Sequence, residues 1–212
     1  MPRSIRAKQP LKKVRLGGIR EITAGVFFIW FNRDFSFNAG QVLGITDDPA
    51  VPFRLYSIAS GENETSVGIL FDIKEGGYLT PRLSKLSAGD ALFITGPGGE
   101  FTCEQGPAYW IAAGTGIAPF ASMFYTGLWK DKILIHGGRS LDRFYFEEDL
   151  VPVLNENYIR CCSAERGNGV FEGRLTTYLQ LQPFLPPDRK YYLCGSAEMV
   201  VQTRDLLLSR GI

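Results

Sequence analysis

Between residues 22 and 99 apolar and polar positions alternate in short runs, which is the period of half-buried strands. Residues 25–31 are strongly apolar and aromatic, and 41–45, 54–60, 66–73 and 91–95 follow. Asp47-Asp48-Pro49, Gly61-Glu62-Asn63 and Ala88-Gly89-Asp90 punctuate them as turns. This pattern predicts a small antiparallel, Greek-key β-barrel. One helical piece interrupts it, with Thr80 as its predicted cap, Pro81 at the first helical position, and Leu83 and Leu86 on one face. Residues 104–107 read as a boundary, and the pattern then changes. Compact apolar strands at 109–113, 132–136, 158–163 and 190–194 alternate with helices ending near 128, within 146–155, at 175–180 and at 197–209. Four such alternations predict a parallel sheet with crossover helices. The expected organisation is therefore a two-domain chain, with an antiparallel β-barrel over 1–104 followed by an α/β parallel-sheet domain over 105–212.

Composition narrows the function classes. Hydrophobic residues make up 45% and charged residues 21%, as in ordinary globular proteins. A net charge of +1 leaves no global field for nucleic acid or a membrane surface. No apolar run is long enough to span a bilayer, and the N-terminus has no apolar leader core. Cys103, Cys161, Cys162 and Cys194 show no metal spacing, so no metal is expected and a reducing cytoplasm is. His136, the single histidine, ends an apolar strand and reads as structural. Seven basic residues, Arg3, Arg6, Lys8, Lys12, Lys13, Arg15 and Arg20, precede the first acid at Glu21. They suit a solvated arm and first strand, or a docking patch for an acidic partner.

Five stretches carry candidate chemistry. Arg54-Leu55-Tyr56-Ser57-Ile58 places Arg54 and Tyr56 on one strand face with Ser57 beside them. A guanidinium binds a pyrophosphate, a phenol ring stacks on a flat conjugated head, and a hydroxyl reaches the ring edge. A plain barrel strand with a surface arginine has the same sequence. Gly76-Gly77-Tyr78-Leu79-Thr80 opens the barrel's helix, where glycines admit a phosphate and Thr80 adds a hydroxyl. Gly114-Thr115-Gly116-Ile117-Ala118-Pro119 links a strand to a helix, as a dinucleotide pyrophosphate needs, although Pro119 stands where GxGxxG has its third glycine. Cys194-Gly195-Ser196 ends the last strand on the same carboxyl edge. Arg139, Ser163, Arg166 and Arg174 follow the second and third sheet strands and suit a ribose phosphate, or are surface charge.

In this order, Arg54-Leu55-Tyr56-Ser57, Gly77-Tyr78-Leu79-Thr80-Pro81-Arg82-Leu83, Gly114-Thr115-Gly116-Ile117-Ala118-Pro119 and Leu193-Cys194-Gly195 resemble the motifs of the ferredoxin–NADP(+) reductase family. The likeness runs from about residue 22 to residue 201. It implies an enzyme, an FAD-binding barrel followed by an NAD(P)-binding domain, and electron transfer between NADPH, or NADH, and a one-electron carrier such as ferredoxin or flavodoxin. By this resemblance Arg54 binds the flavin phosphate, Tyr56 stacks on the isoalloxazine and Ser57 sits near its N5. Leu55 belongs to the same motif. Gly77, Leu79 and Thr80 hold the pyrophosphate, and Asp72 and Ile73 line the flavin. Gly114, Thr115 and Gly116 cradle the nicotinamide dinucleotide, with Cys194 and Gly195 near the nicotinamide. Tyr56, Ser57 and Cys194 are the residues implied at the reacting rings.

Two positions depart from the family's pattern. The Ser163 position is often followed by arginine in NADP-specific relatives, and here Ala164 follows, with Arg166 further on. Arg139 and Arg174 match positions used for the 2′-phosphate, which favours NADPH. Relatives often carry a final strand whose terminal aromatic covers the flavin, and this sequence stops at Ile212. Another cover, or an open flavin face, is the expectation. Two further roles fit the same motifs: the reductase component of a multicomponent oxygenase system, and a flavin- or nucleotide-binding regulatory protein without turnover.

Overall fold

The computed structural model describes residues 10–212, and the chain divides into two compact units, one up to Cys103 and one from Glu104. Arg3, Arg6 and Lys8 of the basic stretch lie outside the described residues.

The first unit is built from two antiparallel sheets. Strands β1 (Lys12–Arg15), β7 (Ala91–Ile94), β4 (Val42–Thr46) and β5 (Arg54–Ser57) form one, in the order β1-β7-β4-β5. Strands β2 (Gly18–Thr23), β3 (Val26–Asn32) and β6 (Ser66–Asp72) form the other, in the order β2-β3-β6. An isolated bridge between Ile58 and Ile69 joins β5's end to β6. The inward positions of both sheets, among them Ile29, Phe31, Leu43, Ile45, Ile69 and Leu92, make one core. Each aliphatic or aromatic side chain buried there stabilises by about 1.5–3 kcal/mol, before the ordering cost of the chain. The lysines and arginines of the basic stretch that are described fall on β1 and β2, both sheet edges. Charge on an edge strand discourages pairing with other chains.

Helix α1 (Thr80–Leu83) follows β6 and is a single turn. Thr80 is not its cap. The Leu79 backbone holds that position, and the Thr80 hydroxyl instead accepts the Lys74 N–H at 2.7 Å. The side chain is turned back into the preceding loop, so it serves the loop rather than the helix end.

The second unit alternates β8 (Ala108–Ala113), α2 (Ala118–Tyr125), β9 (Lys132–Gly138), α3 (Glu147–Leu154), β10 (Tyr158–Cys162), β11 (Val170–Glu172), α4 (Leu175–Leu181), β12 (Lys190–Cys194) and α5 (Ala197–Ser209). All strands are parallel, in the order β11-β10-β9-β8-β12. The three-residue β11 was not anticipated, because so short a strand has no readable period. On one sheet face Ile111, Ile135 and Cys161 pack with Leu175, Leu179, Met199 and Leu207. On the other, Trp110 stacks on Phe120 of α2 at 5.7 Å. Burial on both faces explains the near-continuous apolar runs of these strands. From β8 the chain runs outward to β11 and returns to β12 on β8's other side. The carboxyl ends of β8 and β12 are thus a topological switch point, where ligands of open parallel sheets bind. No helix among the described residues is long and apolar enough to cross a membrane.

Candidate functional site

In the first unit, β5 presents Arg54 exposed at its start and Tyr56 half-buried against the core. The Tyr56 ring meets Phe71 edge-on at 6.3 Å, continuing the register of the Ile58–Ile69 bridge. Burial raises the Tyr56 phenol to about 12, with the Arg54 charge pulling it down and Asp72 pushing it up. Tyr56 is therefore a neutral, partly open aromatic face between a cation and a carboxylate. Ser57 is half-buried, while Leu55 points outward and is 48% exposed. Asp72 and Ile73 are exposed where β6 ends. The charges of Arg54 and Asp72 both reach the Tyr56 phenol, and strand periodicity leaves Leu55 on the opposite face of β5.

The loop after β6 is closed by two hydrogen bonds, Gly77 N–H to the Lys74 carbonyl and Lys74 N–H to Thr80 Oγ1. A Cβ on Gly77 would lie 2.8 Å from the Lys74 carbonyl oxygen, so this turn needs glycine. Thr80 Oγ1 accepts a bond, and no acceptor for its own proton stands among the described residues. That proton suits a phosphate oxygen. The Leu79 side chain is buried in the core, so only its backbone can face a ligand. One feature escaped the sequence reading: Arg82 pairs with Asp47, in the turn after β4, and lies 5.0 Å over the exposed Tyr78 ring. The partners are 35 residues apart, with no local signal linking them.

In the second unit, residues 114–117 form a 3-10 turn between β8 and α2, with Gly114 at φ +55°. A Cβ on Gly116 would stand 2.3 Å from the Cys194 carbonyl oxygen and 2.7 Å from the Gly195 Cα. The 114–119 loop and the end of β12 therefore touch backbone to backbone, which only glycine permits here. Ser196 caps α5, its hydroxyl accepting the Met199 N–H at 3.2 Å. Burial pushes the Cys194 thiol up to about 11, so it is a neutral thiol at physiological pH.

The four residues considered for a ribose phosphate all follow strand ends on the carboxyl edge. The 139 and 163 loops are tied together: Ser163 N–H donates to the Gly138 carbonyl at 3.0 Å and Ala164 N–H to the Arg139 carbonyl at 2.9 Å. Arg139 is exposed with no ion-pair partner among the described residues. Arg166 pairs with Glu172 at 3.2 Å, and Arg174, just before α4, lies 4.0 Å from Glu198. These glutamates were missed because each comes from a different strand or helix. His136 is fully buried, with its Nδ1 2.9 Å from the Tyr158 hydroxyl.

Residues 110–205 match the family described as the oxidoreductase NAD-binding domain. The chain is similar to a ferredoxin–NADP reductase of Azotobacter vinelandii, 28% identical over 85% of this chain and 82% of that one. It is also similar to the toluate 1,2-dioxygenase electron transfer component of Pseudomonas putida, 26% identical over 84% of this chain and 56% of that one. In fold it follows a ferredoxin NADP+ reductase from Neisseria gonorrhoeae, with a TM-score of 0.84 at 20% identity over 94% of this chain and 91% of that one. An antiparallel unit carrying the Arg54–Ser57 strand, then a parallel sheet with glycine loops at its switch point, accompany these likenesses, and the chain is similar in sequence and in fold to ferredoxin–NADP reductases.

Proposed function

We propose that this protein is an FAD-dependent reductase that draws electrons from NADPH and hands them singly to a small acidic carrier of the ferredoxin or flavodoxin kind. The observation that carries the reading is the close backbone approach of Gly116 to Cys194 and Gly195 at the sheet's switch point. It leaves a side-chain-free cradle of the kind a dinucleotide pyrophosphate needs.

The residues present fit both nucleotides. In the first unit the neutral Tyr56 ring offers a stacking face, Arg54 a cation for the flavin phosphate, and Thr80 a hydroxyl proton without an acceptor. Ser57, Asp72, Ile73 and the 77–79 backbone complete this set. In the second unit Thr115 and Gly116 would hold the dinucleotide, and Gly114 shapes their turn. Cys194 and Gly195 would stand beside the nicotinamide, where a neutral thiol would add bulk without charge. Bound flavin supplies the passage from two-electron to one-electron transfer. The protein's own part is to bind, orient and keep water out, and no general acid–base pair is required of it. Arg139, with Arg166 and Arg174 on the same carboxyl edge of the sheet, favours NADPH, since a guanidinium recognises the 2′-phosphate and a hydroxyl does not require one. Ser163 lies within the same loop cluster. Four free thiols suit a cytoplasmic setting.

The test is anaerobic mixing of the purified flavoprotein with NADPH. The flavin absorbance is expected to bleach within seconds to minutes; a spectrum unchanged by NADPH and NADH alike overturns the enzyme reading and favours a regulatory flavoprotein. The likeness to the toluate dioxygenase component supports a second reading, a reductase serving one oxygenase. Turnover restored by a single dedicated carrier, and by no general ferredoxin or flavodoxin, selects that reading.

A further inference from the structure

His136 has no part in the function proposed above, yet it lies on β9 opposite Ala112, close to the start of the 114–119 loop. Its neighbours in register are Ala112 on β8 and Arg160 on β10, so it sits two residues back from Gly114 on the adjacent strand. The ring is 0% exposed and meets the Phe144 ring edge-on at 5.4 Å. Its Nδ1 is 2.9 Å from the Tyr158 hydroxyl, and its Nε2 is buried without a hydrogen-bond partner among the described residues. An unmade bond of this kind costs about 1–3 kcal/mol, so the bare nitrogen calls for an explanation. Gly114 follows Ala112 and Ala113 at the end of β8, and its backbone favours a proton on the imidazole, as an accepting carbonyl does.

We propose that His136 is a positioning residue for the nicotinamide dinucleotide, its Nε2–H holding the Gly114 carbonyl inward when the loop is occupied. The Tyr158 hydroxyl donates to Nδ1, and this leaves the ring proton on Nε2. In a trans peptide the carbonyl of one residue and the N–H of the next point in opposite directions. Drawing the Gly114 carbonyl down onto His136 therefore turns the Thr115 N–H out, toward an anion on the loop. The left-handed φ of Gly114 makes this turn possible. The inference deepens the proposed function and rests on it.

The experiment compares the full-length flavoprotein with His136→Gln, whose amide keeps a donor near the Nε2 position, and with the double variant His136→Leu/Tyr158→Phe, which removes the donor without stranding the phenol. NADP+ binding is measured by calorimetry, alongside KM and kcat for NADPH with ferricyanide as acceptor. Loss of one oriented hydrogen bond is expected to weaken NADP+ binding and raise KM about tenfold in the double variant, with kcat within about twofold. His136→Gln is expected to recover most of the loss. Nitrogen-15 spectra of the wild type are expected to show the ring proton on Nε2. A folded, flavin-loaded double variant with unchanged NADP+ binding overturns the inference, as does a proton found on Nδ1. A glutamine variant no better than the double variant overturns it too. Wild-type protein that binds no NADP+ overturns the functional reading and this inference with it, whereas normal wild-type binding with unaffected variants removes the inference alone.

Discussion

Arg139 and His136 carry the sharpest predictions for single residues. Arg166 and Arg174 each have a glutamate beside them, and exposed pairs of this kind contribute little stability yet partly occupy their guanidinium. Arg139 has no such neighbour among the described residues. Arg139→Ala is therefore expected to raise KM for NADPH about tenfold, the loss of one charge-assisted bond, and to leave KM for NADH nearly unchanged. Arg174→Ala should do the same less strongly, and equal effects on both nucleotides in steady-state assays would remove these arginines from the phosphate site. Burial pushes His136 down from 6.5 to about 3. Between those values the unfolded chain binds a proton that the folded one refuses. The folded state therefore has its full stability above about pH 6.5 and loses about 1.4 kcal/mol per unit as pH falls toward 3. Denaturant melts of wild type and His136→Gln at pH 7 and pH 5 check this. The variant should lose visibly less on acidification, because it has no imidazole to protonate.

At the scale of elements, the meeting of the 114–119 loop with β12 is the most constrained feature. Gly116→Ala would drive a Cβ into the Cys194 carbonyl, a backbone atom that cannot swing aside. Overpacking of this kind costs about 1–3 kcal/mol. The variant is expected to keep its flavin but bind NADP+ at least about tenfold more weakly, since about 1.4 kcal/mol is enough for that. Calorimetric binding matching wild type would show that the loop has room to spare. The element boundaries were legible from periodicity wherever a strand or helix buries a regular face, as β8, β9, β12 and α5 do. They were not where local bonding decides the outcome. Thr80 looked like a helix cap, but the loop from 74 to 80 used its hydroxyl first. The 114–119 segment was legible as the link from strand to helix, but that residues 114–117 of it wind into a 3-10 turn was not.

For the whole molecule, the near-zero net charge leaves carrier recognition to a local face. Lys13, Arg15 and Arg20 lie on edge strands β1 and β2, and Lys12 there is paired with Asp34. If the carrier is acidic, Lys13→Glu should raise KM for ferredoxin or flavodoxin, most at low ionic strength, without changing ferricyanide reduction. A salt-independent KM for the carrier would point to an apolar contact in its place. The sequence alone determined the switch from a two-residue to a strand–helix rhythm near residue 104, and the glycine and arginine motifs on either side of it. Those follow from backbone period and from residue chemistry, and both are local. The tertiary structure alone decided which motifs touch. Sheet order set β12 beside β8 and so put Cys194 against Gly116; strand register set His136 opposite Ala112, two residues before Gly114, and within hydrogen-bond reach of the Tyr158 hydroxyl; long-range packing gave Arg82 its Asp47 and Arg174 its Glu198. Such pairings join residues tens of positions apart, and only the folded chain's choice of neighbours brings them within reach.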